Sequence, residues 1–194
     1  MSKNVEFFFD YGSPFSYLAD TQLPALAERT RAAILYRPML LGAVLKETGN
    51  ASPMAVPAKG RYMGVELQRW AKHYGVPFVA NPFFPINTIR LMRGAVAAQQ
   101  EGSFPAYHQA IYRAFWTEEV NLGEQEVMRS VLRNAGLDAA LIFTRIEAPE
   151  VKGQLRANTE EAVRRGVFGA PTFFVGEEMF WGNDRLTFVE AALT

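Results

Sequence analysis

The chain has 194 residues, 49% of them apolar, which is enough for one substantial core in one domain, or in one domain with an insertion. Twenty basic side chains balance twenty acidic ones without long like-charge runs, so neither a nucleic-acid track nor a membrane-attracting patch is indicated. With no cysteine, the chain has no disulfide staple, protein thiol nucleophile or CxxC redox centre, and zinc is left with two histidines and carboxylates; no metal site is expected.

The first predicted element is a strand, Val5 to Phe9, which runs into Asp10-Tyr11-Gly12-Ser13-Pro14. Proline is favoured at the first helical position and serine just before it, so Ser13 reads as the N-cap of a helix from Pro14 to about Arg31. Unpaired backbone N–H groups there suit an anion. Ile34 to Tyr36 reads as a second strand, and the βαβ order implies that it pairs in parallel with the first. No apolar segment approaches the roughly 20 residues that span a bilayer, and the opening Met-Ser-Lys-Asn-Val-Glu lacks the apolar region of a signal peptide. A cytoplasmic location is the expectation.

A loop from Thr48 to Pro57 follows, rich in Gly, Asn, Ser and Pro, with Lys46 on one side and Lys59 and Arg61 on the other. It reads either as a solvated basic surface or as a carboxylate-binding lid, since lysine supplies a compact positive charge and Asn50 a directional donor. Met63, Leu67, Trp70, Ala71 and Tyr74 fall at helical spacing and stop at Gly75, a C-cap residue. Similar stripes recur at Tyr107, Ile111, Ala114 and Phe115; at Val127, Val131 and Ala135; and at Val151, Leu155 and Ala162.

Near the C-terminus, Thr172 to Val175 and Met179 to Trp181 read as strands joined by a tight turn at Gly176-Glu177-Glu178. A final helix then carries Leu186, Val189 and Leu193 on one face. Gly169-Ala170-Pro171 precedes the first of these strands. An ordinary trans-proline strand cap explains it, as does a cis bond that would present the Ala170 backbone to an extended ligand. Trp181-Gly182-Asn183-Asp184 follows the second, where Asn183 or Asp184 either caps the last helix or helps to bind a zwitterion. The resulting architecture is an α/β layer with a helical insertion: residues 1–39 and 151–194 form the discontinuous layer, and 40–150 the insertion.

The stretches FDYGSPFSYLA, KETGN, LQRWAKHYGVP, VFGAPTFFVG and MFWGNDRL occur in an order that resembles the 2-hydroxychromene-2-carboxylate isomerases. These are relatives of kappa-class glutathione transferases within the DsbA-like thioredoxin superfamily. The resemblance implies a thioredoxin-like fold with a large inserted all-helical domain, and glutathione as cofactor. Ser13 stands where the redox relatives carry cysteine and would contact the glutathione sulfur. It also implies that Ala170 meets the cysteinyl backbone, Trp181, Gly182, Asn183 and Asp184 the γ-glutamyl end, and Asn50 and Lys59 the glycyl end. The resemblance also places Lys46 close to where these isomerases hold the substrate carboxylate. Asn87 and Arg90 are further substrate candidates, equally well explained as a helix cap and a solvated arginine, and Phe83, Phe84 and Trp116 are candidates for an aromatic wall or for core.

The implied activity interconverts 2-hydroxychromene-2-carboxylate and trans-o-hydroxybenzylidenepyruvate, a small aromatic carboxylate pair, by reversible addition of the glutathione thiolate. A homodimer is expected from the family. A kappa-like transferase and a glutathione-binding module without activity are the alternatives.

Overall fold

The computed structural model describes residues 3–194. Strand β1 (Asn4–Phe9) lies in a four-stranded sheet of order β2-β1-β3-β4, with β2 at Ala33–Pro38, β3 at Thr172–Val175 and β4 at Glu178–Trp181. β1 and β2 run parallel, as the βαβ order requires, with Phe7 opposite Tyr36. β3 is antiparallel to both of its neighbours, setting Phe7 opposite Phe173 and Thr172 opposite Trp181.

The apolar run in β1 does not alternate with polar residues because the sheet is covered on both faces. Val5, Phe7, Phe9 and Phe173 point into the main core, where the Phe7 ring stacks on Phe9 and Phe173 at 5.2 and 5.1 Å. Phe8 and Phe174 point the other way into a smaller cluster with Met39, Val44, Ala162 and Val167. On this second face Glu6 receives Arg37 and Arg165 at 2.9 and 2.8 Å.

The helix expected from Pro14 to Arg31 is two helices, α1 (Pro14–Asp20) and α2 (Leu23–Thr30). Pro24 lacks the N–H that would reach the Asp20 carbonyl, and its ring clashes there, so the first helix cannot run through. After β2 comes α3 (Leu41–Glu47), then the exposed loop, in which Pro53–Ala55 makes one 3-10 turn. The helical series continues with α4 (Pro57–Tyr74), α5 (Ile89–Gln100), α6 (Phe104–Trp116), α7 (Gln125–Asn134), α8 (Ala139–Arg145) and α9 (Pro149–Arg164). α4 ends as expected at Gly75, whose φ of +68° is the left-handed cap conformation.

In α7 the fully buried side chains are Met128 and Leu132, with Val127 and Val131 only half-buried beside them. α5 and α6 pack closely because Gly94 leaves room for the Tyr107 ring, whose hydroxyl donates to the Leu91 carbonyl at 2.8 Å. A short 3-10 turn at Asn183–Arg185 leads into α10 (Leu186–Ala192), whose Leu186 and Val189 are buried.

A candidate active site at the start of the first helix

Ser13 caps α1 with extended backbone angles (φ −96°, ψ 109°), and its Oγ accepts the Ser16 N–H at 3.1 Å. Its own N–H donates to the Asp10 carbonyl at 2.9 Å, closing the turn out of β1. The hydroxyl proton is directed at the Ala170 carbonyl, 3.2 Å away and 157 residues along the chain. That bond is longer than the usual 2.7–2.8 Å for a hydroxyl donor, so a stronger acceptor such as a thiolate competes for the proton. The Ala170–Pro171 peptide is cis, as is Phe84–Pro85, for which the sequence carried no expectation.

Three other expected residues gather around the same loop. The Asn50 Nδ2 donates to the Phe168 carbonyl at 2.8 Å, tying the loop after α3 to the loop before β3. The Trp181 indole lies over Gly169, where an added Cβ would sit 2.6 Å from the indole nitrogen, and its ring centroid is 4.8 Å from that of Phe168. Trp181 remains 48% exposed, so this aromatic pair forms a face next to the Ala170 backbone. The Gly182 N–H donates to the Pro171 carbonyl at 3.0 Å, at a φ of +112° that disfavours any side chain.

Neither Asn183 nor Asp184 caps α10, which has no side-chain cap. Asn183 is buried, and its carbonyl accepts the Tyr74 hydroxyl of α4 at 2.8 Å. It joins the end of the sheet to the helical series instead. Burial pushes the Tyr74 phenol upward against the opposing bond to Asn183. Asp184 is exposed and pairs with its neighbour Arg185, a surface arrangement that contributes little and yields readily to another cation.

Lys46, in the last turn of α3, and Lys59, in the first turn of α4, are exposed and enter no ion pair among the described residues. Asn87 is exposed and its Oδ1 accepts the Ile89 N–H at 3.0 Å, a local turn bond at the entry to α5. Arg90 reaches the Gly123 carbonyl only at 3.5 Å. Trp116 cannot form a substrate wall: it is buried against Phe78, Phe84 and Phe115. Phe83 is 47% exposed and remains available. His108 is packed between Tyr11 and Asp20 at 3.0 and 2.9 Å, and the described residues hold no metal-binding cluster.

Asp10 and Thr88 lie outside the residues that the sequence singles out for the site. Asp10, only 2% exposed, receives the N–H groups of Gly12 and Leu41 and the Thr88 hydroxyl. A carboxylate inside an otherwise apolar stretch was a readable signal for the first. Thr88 carried none, because its partner lies 78 positions away.

A mixed sheet of this order, with a capped helix after the first strand facing the proline that opens the third, defines a thioredoxin-like protein with a helical insertion. The sequence matches the DSBA-like thioredoxin domain family over residues 4–194. It is 36% identical to 2-hydroxychromene-2-carboxylate isomerase of Sphingobium xenophagum, over 100% of this chain and 99% of that protein. A solved structure of 2-hydroxychromene-2-carboxylate isomerase matches with a TM-score of 0.86 at 34% identity, covering 98% of this chain and 94% of the other. Glutathione S-transferase kappa 1 of Rattus norvegicus is 27% identical over 94% of this chain and 87% of that protein. The chain belongs to the 2-hydroxychromene-2-carboxylate isomerase family of DsbA-like thioredoxin-fold proteins.

Proposed function

We propose that the protein is a glutathione-dependent isomerase that interconverts 2-hydroxychromene-2-carboxylate and trans-o-hydroxybenzylidenepyruvate in the breakdown of naphthalene-type aromatics. The observation that carries the reading is the Ser13 hydroxyl, held at the start of α1 and 3.2 Å from the Ala170 carbonyl in a chain without cysteine. A thiolate used there must arrive with a ligand. The residues suit glutathione: a hydroxyl for its sulfur, the Ala170 backbone for its middle, the exposed Lys59 and Asn50 for its glycyl carboxylate, and Trp181 through Asp184 for its γ-glutamyl zwitterion.

When bound, glutathione supplies a thiolate that adds reversibly to the substrate's side-chain double bond, so that the bond can rotate. The Ser13 hydroxyl would donate a hydrogen bond to that sulfur, keeping its own proton and favouring thiolate over thiol. Lowering a thiol pKa from about 8.5 by about two units requires about 2.7 kcal/mol of preference. A hydrogen bond to a charged group contributes about 1.5–3 kcal/mol and a helix start about 0.3–1 kcal/mol. Because α1 ends at Asp20, the hydroxyl carries the larger share. Lys46 orients the substrate carboxylate and stabilises charge developing beside it, with Asn87 and Arg90 at the same side of the site. The unit formed by residues 1–39 and 151–194 thus carries the sulfur site, and the insertion, 40–150, the substrate side.

The protein is further proposed to work in the cytoplasm and as a homodimer; light scattering tests the dimer, and cell fractionation the location. A glutathione-dependent absorbance assay with the chromene acid tests the activity. Turnover with the total of free glutathione unchanged supports the isomerase, whereas loss of free glutathione to a conjugate supports the transferase reading favoured by the kappa-class likeness. Intact glutathione binding with no turnover of either kind leaves a binding module.

A further inference from the structure

Asp10 is a buried carboxylate that the reaction as described does not use. Its Oδ1 accepts the Gly12 N–H at 2.8 Å, and its Oδ2 accepts the Leu41 N–H at 2.9 Å and the Thr88 hydroxyl at 3.1 Å. Each bond reaches a different part of the site. Gly12 precedes Ser13. Leu41 opens α3, which has no side-chain cap of its own and leads to Lys46 and Asn50. Thr88 stands at the entry to α5, next to Asn87, and its methyl lies against Gly12, where an added Cβ would approach to 2.9 Å.

We infer that Asp10 is a positioning residue for the reaction, holding the Ser13 loop, the start of α3 and the entry to α5 in the one arrangement that aims the Ser13 hydroxyl at the bound sulfur. Three donors converge on two oxygens, the pattern an ionised carboxylate satisfies and an amide does not. Burial pushes the Asp10 carboxyl above its ordinary range, while the bonds from Gly12, Leu41 and Thr88 pull it back. A carboxylate enclosed in this way is costly to keep, and an apolar residue here would leave the N–H groups of both Gly12 and Leu41 without an acceptor, an amide one of the two. In an Asp10→Asn variant the amide nitrogen faces a backbone N–H, donor against donor, and the loop must shift.

The inference rests on the role given to Ser13, so the test includes Ser13→Ala beside Asp10→Asn, Thr88→Val and Thr88→Ser. The pKa of the bound glutathione thiol is followed by thiolate absorbance, and kcat, KM, glutathione affinity and melting temperature are measured on the same proteins. Asp10→Asn is expected to raise the bound thiol pKa by about one unit, a tenfold loss of thiolate at fixed pH, and to lower kcat in step with little change in glutathione affinity. Thr88→Val keeps the shape and the methyl contact but loses the bond, and is expected to move both quantities in the same direction by a smaller factor. Thr88→Ser restores them.

The sign of the shift separates positioning from simple charge, because deleting a nearby negative charge would lower the thiol pKa. A lowered or unchanged value with kcat preserved in folded Asp10→Asn overturns the inference. If Asp10→Asn does not fold, Thr88→Val decides alone, and wild-type values there overturn it. Should Ser13→Ala match the wild type, the Ser13 role fails and the inference with it; a defective Ser13→Ala beside normal Asp10 and Thr88 variants removes only the inference.

Discussion

The indole N–H of Trp116 donates to the backbone carbonyl of Tyr11 at 2.8 Å, joining the last residue of α6 to the loop that presents Ser13. The same tyrosine is held twice more from the insertion, its N–H near the Met92 sulfur at 3.3 Å and its hydroxyl on His108 Nδ1 at 3.0 Å. The helical series therefore grips the Ser13 loop as well as covering the sheet. Trp116→Phe should leave the ring packing largely intact but strand a buried carbonyl, at a cost of about 1–3 kcal/mol. Urea unfolding measures it; an unchanged midpoint would mean that water or a rearranged loop satisfies Tyr11.

Glutathione binding only to the folded protein should raise the melting temperature, equivalent to about 2.7 kcal/mol at a hundredfold excess over its dissociation constant. On the proposed reading, in which the two ends of the tripeptide supply most of the binding, Ser13→Ala should keep most of that shift. It should nevertheless raise the bound thiol pKa by roughly one to two units and move the pH–rate profile upward with it. Equal thiol titrations and equal rates in the variant and the wild type would reduce Ser13 to a helix cap. Given oxidised glutathione, Ser13→Cys should form a mixed disulfide by thiol–disulfide exchange, releasing one reduced glutathione, and lose turnover.

Two glycines in helices should respond oppositely to alanine. At Gly94 a Cβ would overlap the Tyr107 hydroxyl, so Gly94→Ala must displace a fully buried ring and its bond to Leu91, a loss of about 1–3 kcal/mol or more. At Gly64, within α4, a Cβ meets nothing within 4 Å, and Gly64→Ala should stabilise by about 0.5–1 kcal/mol through the less flexible unfolded chain. Thermal melts of the pair check both signs.

Six tyrosines, at 11, 17, 36, 74, 107 and 112, have their phenols raised, with burial the leading cause in each, and Tyr17 stands at about 12. The folded protein thus holds these protons to higher pH than the unfolded chain does. Their contribution to stability is complete below the ordinary tyrosine value of about 10 and is lost as pH rises through the folded values. The protein should unfold cooperatively between about pH 10 and 12, with phenolate absorbance near 295 nm and loss of helical signal appearing together. In a Tyr62→Phe background, which removes the exposed seventh tyrosine, phenolate formation well before the helical signal falls would contradict the burial.

Local chemistry made much of this molecule readable. The β1 run, the Ser13-Pro14 start of α1, the αL stop at Gly75 and the hairpin at Gly176 depend on residues within a few positions of one another, and each formed where the sequence predicts it. The absence of cysteine alone required any thiol to come from outside the chain. Local reading went astray where one proline outweighed a helical stripe, at Pro24, and where a residue suited to capping was taken by a distant partner, as Asn183 was by Tyr74.

Only tertiary structure decided which groups share the site. Ser13 meets Ala170, Asn50 meets Phe168, and Asp10 meets both Leu41 and Thr88 across separations of 157, 118, 31 and 78 residues. Hydrogen bonds of that kind follow from how the sheet and the inserted helices pack, and packing depends on the summed burial of many side chains. No spacing along the chain encodes them, so the place of Ser13 at the helix start was legible in the sequence, while its partner Ala170 and the role of Thr88 were not.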